Sequence, residues 1–297
     1  QQLTQPLARG GLLGLLAQQV LAQAENAQQL AIQIVAVGDD HDGRILQPRV
    51  LQDLRAGHTR TPLLGHTWPS PLIVAPMAYQ AWAHADGERA MALAACSLGC
   101  GFTLSQHSNT DLETISTLVL PEAARGPLWF QVANGCDRGF MRELLVQVRH
   151  ASYEALVLTV DAPVHGVRDR ERRHGMPLPE GVRAVHWPEP TAAHTNSHSQ
   201  GLCAGLADAA PRWDDVQWLI GQTRLPVLLK GITQAQDARQ ALQIGAAGVI
   251  VSNHGGRVLD TLPATAELLP RVVDAVRQER EDALVLVDGG IRRGTDL

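Results

Sequence analysis

The sequence predicts a TIM (β/α)8 barrel with its last βα unit missing from this chain, on three observations. Seven short aliphatic or β-branched runs recur along it, each closed by a turn-forming residue such as Gly, Pro, Asn or Asp. The runs are continuously apolar rather than alternating, as suits strands buried on both faces of a parallel sheet. Between most of them lies a stretch with helical spacing, so the pattern reads as repeated βα units.

In order, the strand-like runs are Leu72–Pro76 (LIVAP), Gly101–Ser105 (GFTLS), Leu128–Val132 (LWFQV), Ala155–Asp161 (ALVLTVD), Pro226–Gly231 (PVLLKG), Gly248–Asn253 (GVIVSN) and Leu284–Gly290 (LVLVDGG). Helical spacing is clearest over Glu88–Ser97, Gly139–Ala151 and Ala235–Ile244. The stop at Leu297, straight after a strand and turn, fits an eight-stranded barrel short of one unit better than a seven-stranded design. The barrel domain is therefore placed at 47–297. Residues 1–46 form an N-terminal segment expected to be helical. Within it Gly10–Ala27 is apolar early and polar late with no basic region before it, which favours an amphipathic helix over a signal peptide. The first residues are Gln-Gln rather than Met, so the start reads as processed or trimmed.

One connection breaks the rhythm. From 163 to 211 there is no strong periodicity, and Pro188–Gln200 is polar with two prolines. A loop this long after a barrel strand is usually functional or mobile, and it is expected to lie over the site mouth. Its histidines, His174, His186, His194 and His198, sit at no metal-ligand spacing and read as solvated loop residues, so no metal site is expected.

Composition excludes several function classes. The 297 residues are 45% hydrophobic and 19% charged, with 25 basic against 30 acidic side chains and a net charge of −5. A pI of 6.2 leaves no footprint for nucleic acid or an anionic membrane surface. No apolar run reaches the roughly 18 residues of a membrane span. Four cysteines in a chain this long make no disulfide framework, and Cys96 and Cys100, four apart on a predicted helix, read as small core residues. A cytoplasmic globular protein is expected.

Polar residues gather at the C-terminal ends of the predicted strands, the rim where catalytic groups of such barrels converge. Asp161 ends the fourth strand, Lys230 the fifth, His254 follows the sixth and Asp288 ends the seventh. Singly, each reads as a cap or loop ion pair; four at equivalent positions read as a site. His254 suits proton transfer near neutral pH, and Asp161 suits holding its imidazole in one tautomer. Lys230 emerges from an apolar strand and suits neutralising an anion on substrate or cofactor. Arg257, three residues past His254, offers the two-pronged fork that fits a carboxylate. The Gly-rich turn Asp288-Gly289-Gly290-Ile291-Arg292-Arg293-Gly294, with two arginines, follows the seventh strand, close to where phosphate commonly sits in these barrels.

These residues also carry a resemblance. Ser252–Thr265 (SNHGGRVLDTLPAT), Leu225–Ile232 (LPVLLKGI), Leu158–Glu171 (LTVDAPVHGVRDRE) and Val287–Leu297 (VDGGIRRGTDL) resemble signature blocks of the FMN-dependent 2-hydroxy acid oxidases and dehydrogenases, in a bacterial-type member. Pro71–Glu88 and Pro127–Phe140 match as well, so the likeness runs from about residue 47 to the end. It implies FMN as cofactor and oxidation of an L-2-hydroxy acid, lactate-like or larger, to the 2-oxo acid. His254 would be the active-site base with Asp161 as its carboxylate partner. Arg257 and Arg168 would bind the substrate carboxylate, with His107 also facing substrate. Lys230 would sit by flavin N1 and O2, and Ser252 would also bind the cofactor. Ser105, Gln131 and Thr159 would hydrogen-bond the ring, and the backbone of Met77 and Ala78 would approach N5. Asp288, Gly289, Gly290 and Arg292 would hold the ribityl chain and phosphate. A homo-oligomer, a tetramer by resemblance, is implied too.

The departures matter. Ala133 stands where the family places a tyrosine, His107 stands where a tryptophan is common, and the only tyrosines, Tyr79 and Tyr153, lie outside the usual N-terminal motif. The Gly-Arg pair that ordinarily binds phosphate in the eighth strand would fall beyond Leu297, so FMN is expected to bind weakly to the chain as it stands. Two readings follow: an active oxidoreductase with a remodelled pocket, or a degenerate, non-catalytic relative serving as a binding or partner subunit. Retention of Asp161, Arg168, Lys230, His254 and Arg257 together favours the first.

Overall fold

The structure, a computed structural model, describes residues 32–34, 50–133, 137–163, 166, 173, 175, 178–187, 210–291 and 296. All seven strand-like runs form strands. They are β4 (Leu72–Val74), β5 (Gly101–Ser105), β6 (Leu128–Ala133), β7 (Ala155–Thr159), β8 (Val227–Ile232), β9 (Gly248–Val251) and β10 (Leu284–Val287). They lie side by side in chain order, and each neighbouring pair is parallel. A further strand, β1 (Ile32–Ile34), pairs parallel with the free edge of β4. Here the expectation of helix over 1–46 is corrected: Ile-Gln-Ile puts β-branched residues at alternate positions, which suits an extended pleat. The rest of that segment, Gly10–Ala27 included, lies outside the described residues.

Helices follow most strands, as βα units require. They are α1 (Gly87–Ser97), α2 (Leu112–Val119), α3 (Arg138–His150), α4 (Trp213–Gly221), α5 (Ala235–Gln243) and α6 (Thr265–Glu279). Two start on aspartate caps: Asp111 accepts from the Thr114 backbone at 2.8 Å, and Asp137 from Gly139 and Phe140. An N-cap carboxylate satisfies amides that have no partner within the helix.

The strands' two faces build two cores. Phe102, Leu104, Phe130, Val132, Leu156, Leu158, Leu229, Val249, Val251, Val285 and Val287 face outward and pack under the helices. Ile73, Trp129, Ala155, Val157, Leu228, Ile250 and Leu286 face inward and pack together. Because side chains alternate with period two, the next inward position on each strand is fixed: Ala75 after β4, then Ser105, Gln131, Thr159, Lys230, Ser252 and Asp288. The interior is therefore apolar below and polar in its top layer.

A hairpin with no clear sequence signal closes the bottom. Strands β2 (Thr61–Leu63) and β3 (His66–Trp68) pair antiparallel around Leu64 and Gly65, whose φ values of 52° and 80° define a tight two-residue turn. Leu63 enters the inner core beside Ile73 and Trp129. Leu-Gly is a poor signal for such a turn, since leucine rarely adopts positive φ. Cys96 and Cys100 are buried free thiols, as expected of core residues.

Thr103 is an inward residue, fully buried, and its hydroxyl has no hydrogen-bond partner among the described residues. Thr103→Val keeps the shape and removes the unmet polar group, a change that is nearly neutral or stabilising. The urea midpoint is expected to hold or rise; a loss above about 1 kcal/mol would show that the hydroxyl is satisfied.

Candidate active site

From β5 to β10 each inward strand end delivers one polar group to the rim, and most of these groups join. Ser105 and Gln131 are directly paired across β5 and β6, and the serine hydroxyl donates to Gln131 Oε1 at 2.9 Å. Thr159 and Lys230 are paired across β7 and β8. Lys230 is 4% exposed, and its Nζ donates to Ser252 Oγ at 2.9 Å and meets Asp288 Oδ2 at 3.1 Å. Asp288 is 1% exposed. A buried charge is tolerable only when paired, which accounts for the coincidence of lysine and aspartate here. Asp288 is held from behind, where the Thr265 hydroxyl donates to its backbone oxygen at 2.6 Å.

Ser252 links this pair to the histidine, because its Oγ also accepts from the backbone N–H of His254 at 3.1 Å. His254 adopts a φ of 56°, and Gly255 and Gly256 follow at 60° and 68°. Three successive left-handed residues lift the imidazole off the strand. A non-glycine residue there costs of order 1–3 kcal/mol and persists only where surrounding contacts impose it. Asn253 supplies one such contact, accepting from the Gly255 N–H at 3.0 Å. His254 Nδ1 lies 2.9 Å from Asp161 Oδ1. An ionised carboxylate only accepts, so Nδ1 carries a proton, and in the neutral ring Nε2 is the nitrogen with the lone pair.

Asp161 reaches that position because its neighbour is Gly231. With φ at 108°, Gly231 sits at an irregularity in the β8 register, and a Cβ there would strike the Asp161 side chain and backbone. Gly166 plays a similar part: a Cβ on it would strike the Arg257 and Val258 carbonyls, so the connection after β7 lies directly on the His254 turn.

Of the residues singled out by sequence, His254 and Asp161 are joined, Lys230, Ser252 and Asp288 form one cluster, and Ser105 and Gln131 form another. His107 belongs with the latter through its backbone N–H on Ser105 Oγ at 3.1 Å. Thr159 is partly buried, Gly289 and Gly290 are buried with φ of 103° and 68°, and Met77, Ala78 and Arg257 are exposed at the rim. Arg168 and Arg292 lie outside the described residues. So does most of the 163–211 loop with His174, His194 and His198, but 178–187 does not. There the solvated-histidine reading is corrected: His186 is 7% exposed, because its ring packs edge-on against Phe130 at 5.5 Å between centroids. No cluster of three potential metal ligands occurs among the described residues.

Residues that the sequence did not reveal include Gly231, Thr265 and the fully buried Glu88. Glu88 accepts from the Gln80 and Asn109 backbones at 3.2 Å and 3.1 Å and from the Thr110 hydroxyl at 3.0 Å. That one carboxylate ties the loops after β4 and β5. The glycine beside Lys230 is a visible signal in the sequence; Glu88, at the start of a helical stretch, carries none.

One rim of a parallel barrel thus carries a buried lysine–aspartate pair and a carboxylate-held histidine. The comparisons give that arrangement a family: the model for FMN-dependent dehydrogenases matches residues 18–297, and the chain belongs to that family. An L-lactate oxidase from Nostoc is 41% identical over 258 residues, which are 85% of this chain and 69% of that protein. A 4-hydroxymandelate oxidase from Amycolatopsis orientalis is 41% identical over 256 residues, covering 84% of this chain and 68% of its own length. A crystal structure of mandelate oxidase with (S)-2-phenylpropionate superposes with a TM-score of 0.69 at 38% identity. It covers 83% of this chain and 65% of that one. The chain thus spans about two thirds of the length of the relatives it matches.

Removing one member of the buried pair leaves the other uncompensated, which costs about 3–5 kcal/mol. Lys230→Met is expected to lower stability by that order in urea denaturation, and adding Asp288→Leu to recover most of the loss. A double variant no more stable than the single one would contradict the pairing.

Proposed function

We propose that this chain is the larger part of an FMN-dependent oxidase or dehydrogenase that converts an L-2-hydroxy acid to the 2-oxo acid. The observation that carries the reading is the 2.9 Å hydrogen bond between His254 Nδ1 and Asp161, which leaves Nε2 as a base on the rim above the buried lysine. The top layer suits a flavin on its chemistry. Ser105, Gln131 and Thr159 offer neutral donors and acceptors for a flat ring rich in nitrogen and oxygen, and Lys230 offers a buried cation to an anionic ring edge. Asp288 Oδ2 is paired with Lys230 Nζ at 3.1 Å, and a carboxylate oxygen has a further lone pair that could accept from a ribityl hydroxyl. When bound, FMN supplies the two-electron acceptor.

The chain's own groups do the rest. Arg257, joined by Arg168, takes the substrate carboxylate, where a guanidinium fork fixes both oxygens. His107 borders the substrate. His254 Nε2 receives the proton, and Asp161 balances the charge that appears on the ring. Ser252 keeps Lys230 and the His254 backbone in fixed relation, so base and bed share one frame. Met77 and Ala78 present backbone toward the reacting face, and Gly289, Gly290 and Arg292 hold the phosphate end. Ala133 enlarges the pocket by removing a ring, which favours an acid larger than lactate.

We further take 47–297 as the FMN-binding barrel domain, with 1–46 as an N-terminal segment that lends Ile32–Ile34 to the edge of its sheet. A cytoplasmic homo-oligomer completes the reading: the free thiols of Cys96 and Cys100 support a reducing compartment, and the family resemblance supports the oligomer. No described helix is long and apolar enough to cross a membrane.

His254→Gln keeps size and hydrogen bonding but removes the base, so the turnover rate is expected to fall by about 10²–10⁴ with flavin content unchanged. Arg257→Lys keeps the charge but loses the fork, so KM is expected to rise as kcat falls. Steady-state kinetics with a panel of 2-hydroxy acids reads both. A His254→Gln rate within a few-fold of the parent would refute the assignment, and no reaction with any hydroxy acid would favour the non-catalytic binding subunit.

A further inference from the structure

Segment 178–187 is docked on the rim by contacts that the proposed reaction does not use. The Val185 N–H donates to the Ser108 carbonyl at 3.0 Å, and Asn109 Nδ2 donates to the Arg183 carbonyl at 2.8 Å. Gln106, fully buried, donates from Nε2 to the His186 carbonyl at 3.2 Å and accepts from the Ala133 N–H at 2.8 Å. It thereby ties the segment to the end of β6. The His186 ring fills a socket against Phe130 and hydrogen-bonds to the Thr110 backbone, while its Nε2 is buried with no partner among the described residues. The next residue, Trp187, stacks on His107 with 4.6 Å between centroids and 25° between planes. Tyr79 meets His107 edge-on at 6.1 Å.

We propose that His186 is a positioning residue: seated as a neutral ring, it anchors segment 178–187 so that Trp187 stays stacked on His107 beside the substrate, and it thereby sets substrate affinity. The affinity half rests on the oxidase reading; the anchor does not. The socket favours the neutral form, because protonation would place an N–H at Nε2 with no acceptor among the described residues. Two acids face the ring, Glu88 from α1 and Asp111 at the start of α2, and Tyr153 packs on the same Phe130 ring while its hydroxyl donates to Leu112. Burial pushes the His186 pKa down and outweighs the bond to Thr110 and the pull of Asp111 and Glu88. A group whose pKa is lowered by docking stabilises the docked state above its ordinary value of about 6.5. That stabilisation is lost as pH falls below it. Acidification therefore releases the segment and Trp187 with it.

Hydrogen exchange of the 178–187 peptide in the flavin-loaded full chain, corrected for intrinsic rate, tests the anchor directly. Protection is expected to fall at least about tenfold between about pH 7.5 and about pH 5 while the barrel peptides stay protected. His186→Phe keeps the ring packing without the titration, so its protection should be independent of pH. His186→Ala should lose protection at every pH and raise KM about tenfold with kcat within about threefold. PH-independent protection in the parent, or a His186→Ala peptide as protected as the parent, would overturn the anchor. Lost protection with an unchanged KM would overturn the link to affinity. Exchange as stated with no turnover of any hydroxy acid would uphold the anchor and count against the oxidase reading instead.

Discussion

The pleat of a parallel sheet sends every second side chain inward, and the site depends on that constraint. Once Trp129, Val157, Leu228, Ile250 and Leu286 are committed to the inner core, the residues two positions on cannot face anywhere else. They are Gln131, Thr159, Lys230, Ser252 and Asp288. A slip of one residue in any strand would exchange a polar rim group for an aliphatic one from under the helices. The outward core, packed against α1 to α6, therefore holds the chemistry in register without touching it.

That constraint also explains the energetics of the rim. Lys230 and Asp288 are paired charges far from water, an arrangement that contributes little net stability but costs much when half removed. The left-handed turn at His254 adds strain of its own. Both are affordable because the layer beneath is dry and close-packed, with strand pairing on both sides. The Ser252 hydroxyl then makes the pair and the turn one unit, since a shift of either would break its bonds to Lys230 Nζ or the His254 N–H.

Much of this was legible in the sequence, and the reasons are local. Continuous aliphatic runs marked the seven strands because both faces of a barrel strand are buried. Asp161, Lys230, His254 and Asp288 stood out because a charge at the end of such a run needs a purpose. The Leu64–Gly65 hairpin was not legible, since its strands are three residues long and its turn uses leucine at positive φ. Nor was the burial of His186: the polar tract around it reads as solvent-facing, and only contacts from Phe130 and Gln106, 56 and 80 positions earlier in the chain, bring it inside. Glu88 escaped for the same reason, its partners Asn109 and Thr110 being supplied by the next βα connection. Long-range partners of isolated polar residues leave no periodic trace.

The central claim is that a base on the rim and a flavin in the polar layer act together on the substrate Cα–H bond. Anaerobic mixing of the flavin-loaded protein with a 2-hydroxy acid, protiated or deuterated at Cα, tests it most directly. The flavin is expected to bleach in a single turnover, and deuterium to slow the bleaching several-fold, because a C–D bond starts from a lower zero-point level and so meets a higher barrier. A flavin that stays oxidised with every 2-hydroxy acid, in a protein that holds it stoichiometrically, would contradict it.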